Sequence, residues 1–134
     1  MGTKVFINLP VADLDKSMAF FKALGFSFNP QFSDATAACM IISEENFAML
    51  LTHEKLRMFT SRAVADTKTH VEALIAIGLD SKEAVNRMAD AAIANGGEAA
   101  RPPEDLGFMF TRAFNDPDGH TWEPFWFDPA ALPS

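Results

Sequence analysis

The chain has 134 residues, 49% of them hydrophobic and 22% charged, and a formal net charge of −7. That length and balance describe one globular domain, or two small half-domains sharing a core. The acidic balance, without any basic cluster, argues against binding a phosphate backbone. No stretch approaches the ~20 apolar residues of a membrane span.

Met1 to Pro10 lacks a cationic segment followed by a long apolar run, so no secretory leader is expected. Cys39 is the single cysteine, so no intramolecular disulfide can form and a reducing, cytoplasmic setting is expected. Thirteen Phe and no Tyr leave the aromatic surface without phenol hydroxyls, so any pocket should be greasy.

In chain order, Lys4 to Leu9 is apolar and partly β-branched, ahead of Pro10, and reads as a strand. Asp13 offers a helix N-cap, and Leu14, Met18, Phe21 and Leu24 share one helical face that Gly25 ends. Three strands are expected next, at Phe26 to Asn29, Thr36 to Ser43 and Phe47 to Thr52. His53 to Phe59 reads as a short helical arm, and Ser61 to Thr69 as a polar connector.

Val71 to Leu79 is again a strand. Ser81 caps a second helix with Val85, Met88 and Ala92 on its buried face, and Gly96–Gly97 stops it. Arg101 to Leu106 contains two prolines and reads as a loop. Strands follow at Phe108 to Phe114 and Thr121 to Phe127, joined by the turn Asn115-Asp116-Pro117-Asp118-Gly119.

This order is written twice. Phe6 to Asp13 matches Leu74 to Ser81 in apolar pattern, and each segment ends in a capping residue. Gly25 matches Gly96–Gly97, and Asn46 to Leu50 matches Gly119 to Glu123. The alternative is one unrepeated α+β sheet domain.

The opening FINLPVADLDKSMAFFKALGF, Phe6 to Phe26, and the close FNDPDGHTWEPFW, Phe114 to Trp126, resemble the vicinal oxygen chelate superfamily. That superfamily includes glyoxalase I, extradiol dioxygenases, and the fosfomycin and bleomycin resistance proteins. The resemblance implies an α+β fold of two βαβββ modules forming a curled mixed-sheet cup. It spans nearly the whole chain as a single domain, with module one at 1–60 and module two at 69–128. It also implies a site on the cup floor, often holding a divalent metal. One ligand would come from the first strand and one from the last strand of each module.

Carried over position by position, the implied ligand places read Phe6 and Leu74, each seven residues before its helix cap, with Leu50 and Glu123 on the last strands. Three of the four are hydrocarbons. A slip of one residue brings Val5 or Ile7, Met49 or Leu51, and Ala73 or Ile75, which are no better for a hard cation. No metal site and no cofactor are therefore expected. Strand alternation puts Asn8 on the same face as Phe6, with Ala48 and Ala76 close to the floor. The expected ligand-binding set is Phe6, Asn8, Leu50, Leu74 and Glu123. An unpaired carboxylate in such a hollow is costly to keep charged, and the Asn8 amide offers it a hydrogen bond.

His53, His70 and His120 are expected at the surface or rim, and Cys39 as a small core hydrophobe. Trp122 and Trp126 should face away from the cup, onto a helix or a second subunit. Family members commonly dimerise, so a homodimer is expected.

Three functions follow. The first is metal-independent binding of an apolar or aromatic small molecule, on the bleomycin-resistance pattern. The second is a glyoxalase- or dioxygenase-type enzyme, with an atypical metal site or acid–base chemistry with Glu123 as the catalytic residue. The third is a structural or interaction domain with a filled cup.

Overall fold

The computed structural model describes residues 2–131. The chain divides into two compact units, Met1–Ala65 and Asp66–Ser134. The first runs β1 (Val5–Val11), α1 (Leu14–Ala23), β2 (Ser27–Asn29), β3 (Ala37–Ile41), β4 (Asn46–Thr52) and a one-turn α2 (His53–Leu56). The second runs β5 (Leu74–Gly78), α3 (Lys82–Ala94), β6 (Glu98–Asp105), β7 (Met109–Asn115) and β8 (Thr121–Phe127). Each unit is a βαβββ module with a four-stranded mixed sheet, ordered β1-β4-β3-β2 and β5-β8-β7-β6. In both, the first strand pairs parallel with the last, and the remaining pairs are antiparallel. The repeat read from the sequence is thus a repeat of topology.

The helices begin where their caps dictate. The Asp13 carboxylate accepts the Lys16 N–H, and the Ser81 hydroxyl accepts that of Ala84. In module one, α1 buries Leu14, Phe20 and Phe21, and packs on β3 and β4. Phe21 meets Phe20 and Phe26 edge-on, at centroid distances of 5.0 and 6.0 Å, a favoured aromatic geometry. Phe20, rather than the half-buried Met18, completes the buried face. In module two, α3 buries Val85, Ala89 and Ala92, and packs on β7 and β8.

Module two alternates cleanly. Ile75 and Ile77 are buried on β5, while Leu74, Ala76 and Gly78 are exposed. On β8, Trp122 and Pro124 are buried between the half-buried Thr121, Glu123 and Phe125. Trp122 therefore lies on the helix side, as does Trp126, over which the Lys82 ammonium of α3 sits 5.4 Å from the ring centre. The other side of the sheet is open. On it, Gly78 lies close under Phe125: a Cβ there would be 3.2 Å from the ring, a tight contact.

Two expectations change. Arg101 to Leu106 is not a loop, because β6 runs through it as an edge strand. Pro102 and Pro103 are tolerated there because an edge strand leaves some N–H groups unpaired. His120 is not at the surface. It is 2% exposed, and its Nδ1 lies 2.5 Å from Oε1 of Glu72, while His70 is exposed and His53 half-buried.

The Asn115–Gly119 turn organises this region. Asp116 accepts the N–H groups of Asp118 and His120 on Oδ1, and the Trp122 indole N–H on Oδ2. Gly119 takes φ +85, a conformation that favours glycine. The Thr67 hydroxyl donates to the Asp118 carbonyl, which ties the start of the module to this turn. Cys39 is 1% exposed on β3, and burial pushes its thiol above the usual value, so it behaves as a core residue.

Candidate functional site

The sequence-derived site residues divide according to sheet register. On β1, Phe6 and Asn8 share the open face: Phe6 is 48% exposed, and Asn8 is also exposed. Their β4 partners are Phe47 and Met49. Phe6 and Phe47 stack at 4.7 Å with an interplanar angle of 12°.

Leu50 is not on this face. It pairs with the buried Leu9 and is 0% exposed, within the layer that α1 covers. Ala48 pairs with Ile7 and is likewise buried. The reason is a one-residue slip in the internal match, and strand alternation turns one residue of slip into the opposite face. In module two, Leu74 pairs with Thr121 and Ala76 with Glu123. The equivalents in module one are Phe6 with Phe47 and Asn8 with Met49. The true mate of Glu123 is therefore Met49.

Leu74 and Glu123 do come together. They line a hollow of about 300 Å³ on the open face of module two. Its apolar wall is formed by Val71, Leu74 and Ala113. Its polar groups come from Arg101, Asn115, Thr121 and Glu123. The Thr121 hydroxyl donates to Asn115 Oδ1 at 2.7 Å, which fixes the amide.

The Glu123 carboxylate is not unpaired. Arg101 donates to its Oε2 from Nη2 at 3.0 Å and from Nε at 3.3 Å. The Glu123 side chain is 17% exposed and that of Arg101 41%. Sequence reading missed Arg101 because a β-bulge decides where it points. Ala99 pairs with Phe114 and Arg101 with Ala113, so Ala100 is an extra residue in β6. In a regular strand Arg101 would have opposed Arg112, whose guanidinium reaches Asn86 and Asp90 of α3 on the helix side. The bulge turns Arg101 to the open face, above Glu123. The Pro102–Pro103 pair was the available signal for an irregular edge.

Comparison with known proteins places this architecture. A hypothetical protein from S. aureus superposes with a TM-score of 0.78 at 25% identity, over 94% of this chain and 95% of that one. A glyoxalase/bleomycin resistance protein/dioxygenase family enzyme from Burkholderia phytofirmans superposes at 0.75 with 17% identity, over 94% and 99%. The bleomycin resistance determinant encoded on transposon Tn5 superposes at 0.65 with 19% identity, over 94% and 98%. No curated protein sequence matches the chain.

The fold is thus that of the glyoxalase, bleomycin resistance and dioxygenase structures, two βαβββ modules in one chain. Within that class, residues 3–43 match the bleomycin resistance protein-like N-terminal family.

The class implies a divalent metal, and the donor set here does not fit one. Phe6 and Leu74 have no lone pair to give. Met49 brings only a soft thioether, poorly suited to a hard cation. Glu123 is held by a guanidinium whose charge repels a second cation. Among the described residues, no group of three or more His, Cys, Asp or Glu side chains is arranged to hold a metal ion.

Proposed function

We propose that this chain binds an apolar or aromatic small molecule without a metal, in the open-face hollow of module two. The observation that carries this is the Arg101–Glu123 pair set in a hydrocarbon wall. The pair supplies charge and hydrogen bonds where the class places a metal ligand. Asn8 and Phe6 present a matching open face in module one, an amide beside an aromatic stack. The chain acts as one domain of two modules. No cofactor is required, and the lone buried Cys39 suits a cytoplasmic location.

The test uses phenol and benzamide as neutral hydrogen-bond-donating probes on chelator-treated protein. Glu123→Gln should weaken their binding by about 1–3 kcal/mol, the worth of a hydrogen bond to a charged acceptor. Zn, Ni, Mn, Fe(II) and Co should leave the melting temperature unchanged. An upward shift with any metal, abolished in Glu123→Ala, would turn the assignment to a metalloenzyme, since mass action converts binding into stability. Unchanged probe binding in Glu123→Gln would remove Glu123 from the site.

We further propose that the protein is a homodimer. The support is class resemblance, together with the exposure of Met58 and Phe59 at 71% and 68%. Sedimentation at the 14.7 kDa of a single chain would refute this.

A further inference from the structure

We infer that Arg101 is the recognition cation of this site, and that the hollow selects ligands carrying a carboxylate on an apolar or aromatic body. The inference rests on the small-molecule reading of the hollow and goes further by naming the ligand's head group.

Four observations carry it. First, Arg101 faces the hollow only because β6 bulges at Ala100, so a local irregularity is spent on aiming this side chain. Second, the guanidinium meets Glu123 along one edge. Nε and Nη2 both reach the same oxygen, Oε2. A guanidinium has five N–H donors in a fixed fork. Two are used on Glu123, which leaves both hydrogens of Nη1 and one of Nη2. These form the terminal edge, whose geometry accepts a carboxylate through two parallel hydrogen bonds.

Third, the hollow holds a second donor group beside the guanidinium. Asn115 has its carbonyl oxygen occupied by the Thr121 hydroxyl, so its Nδ2 hydrogens are what it can offer a ligand. Fourth, the cation is the accessible half of the pair. The Arg101 side chain is 41% exposed against 17% for Glu123, so an entering ligand meets the guanidinium first. Val71 and Leu74, 69% and 59% exposed, give the body of the ligand an apolar rest. The Glu123 carboxylate then orients the fork and partly offsets its charge, which favours a monoanion held by geometry over a polyanion held by charge alone.

The experiment titrates the whole chain with benzoate, benzamide and benzylammonium. Binding is followed through amide shifts of Ala113, Thr121 and Glu123. Benzoate should bind at least about tenfold more tightly than benzamide, since charge-assisted bidentate pairs are roughly twice as strong as neutral ones. Arg101→Gln should abolish the preference for benzoate over benzamide. Benzoate binding no better than benzamide, or a preference that survives Arg101→Gln, overturns the inference. A preference for benzylammonium also overturns it and makes Glu123 the recognition group.

Equal binding of all three probes, with shifts at those amides, defeats the carboxylate selectivity and leaves the small-molecule reading standing. If none of the three shifts these amides, that reading fails and takes the inference with it. Circular dichroism checks the fold of Arg101→Gln. If that variant is unfolded, Arg101→Lys decides. It keeps the charge and loses the fork, so benzoate affinity should drop several-fold, and an unchanged value refutes the bidentate role.

Discussion

Asp116→Ala is expected to lower the stability of the chain by about 3–5 kcal/mol, since each buried N–H donor left without its acceptor costs about 1–3 kcal/mol. Asp116 is 5% exposed in the turn between β7 and β8. It accepts three N–H groups, at 2.9 Å from Asp118, 3.0 Å from His120 and 3.0 Å from the Trp122 indole. His120 and Trp122 are themselves buried, so the donors left behind gain no water in exchange.

The substitution also has a pH signature. Burial pushes the Asp116 carboxyl up, against the pull of His120 and of the indole hydrogen bond. The native chain therefore holds this proton more tightly than the unfolded chain does. The contribution of Asp116 is greatest below the ordinary carboxylate range and falls as pH rises through the raised value. The gap between wild type and Asp116→Ala should accordingly widen from neutral pH toward pH 4. Urea melts at both pH values measure it. A gap under about 1 kcal/mol at neutral pH, the typical cost of an ordinary substitution, would contradict the hydrogen-bond role. One that narrows toward acid would contradict the sign.

The second large effect is a contrast between neighbours. Leu50→Ala should cost about 2–5 kcal/mol, as other large-to-alanine changes in packed cores do. Met49→Ala should stay within about 1 kcal/mol, as surface changes do. Leu50 is 0% exposed and pairs with buried Leu9, whereas Met49 is half-buried on the open face beside Asn8. Leu50 lies in a fully buried layer, where the cavity left by truncation adds to the cost. Equal costs for the two variants would mean that the register assigned to β4 is wrong.

That contrast also measures how far the sequence could be read. The helix caps, the Gly25 stop and the DPDG turn are local signals that appear where they were expected, while β6 runs through a segment that reads as a loop. Phe6, Asn8, Leu74 and Glu123 were placed on their strand faces by simple alternation. Leu50 was not, because the internal match carried Glu123 onto it one residue out of step. No local signal corrects such a slip, since Met49, Leu50 and Leu51 are all apolar.

Arg101 escaped notice for a different reason. Prolines at 102 and 103 argue against a strand in isolation, and only the pairing of β6 with β7 shows that they sit on an edge. His120 looked like a rim residue until the fold brought Glu72 and Asp116 to it.

By itself the sequence determined the repeated strand–helix pattern and the strand faces of Phe6, Asn8, Leu74 and Glu123. Those features depend on residue type and on spacing within a single element. Only the tertiary structure decided that Glu123 is paired, that Arg101 is its partner and that Met49 rather than Leu50 shares its position. These depend on inter-strand register and on one bulge, which are set by pairing between segments far apart in the chain.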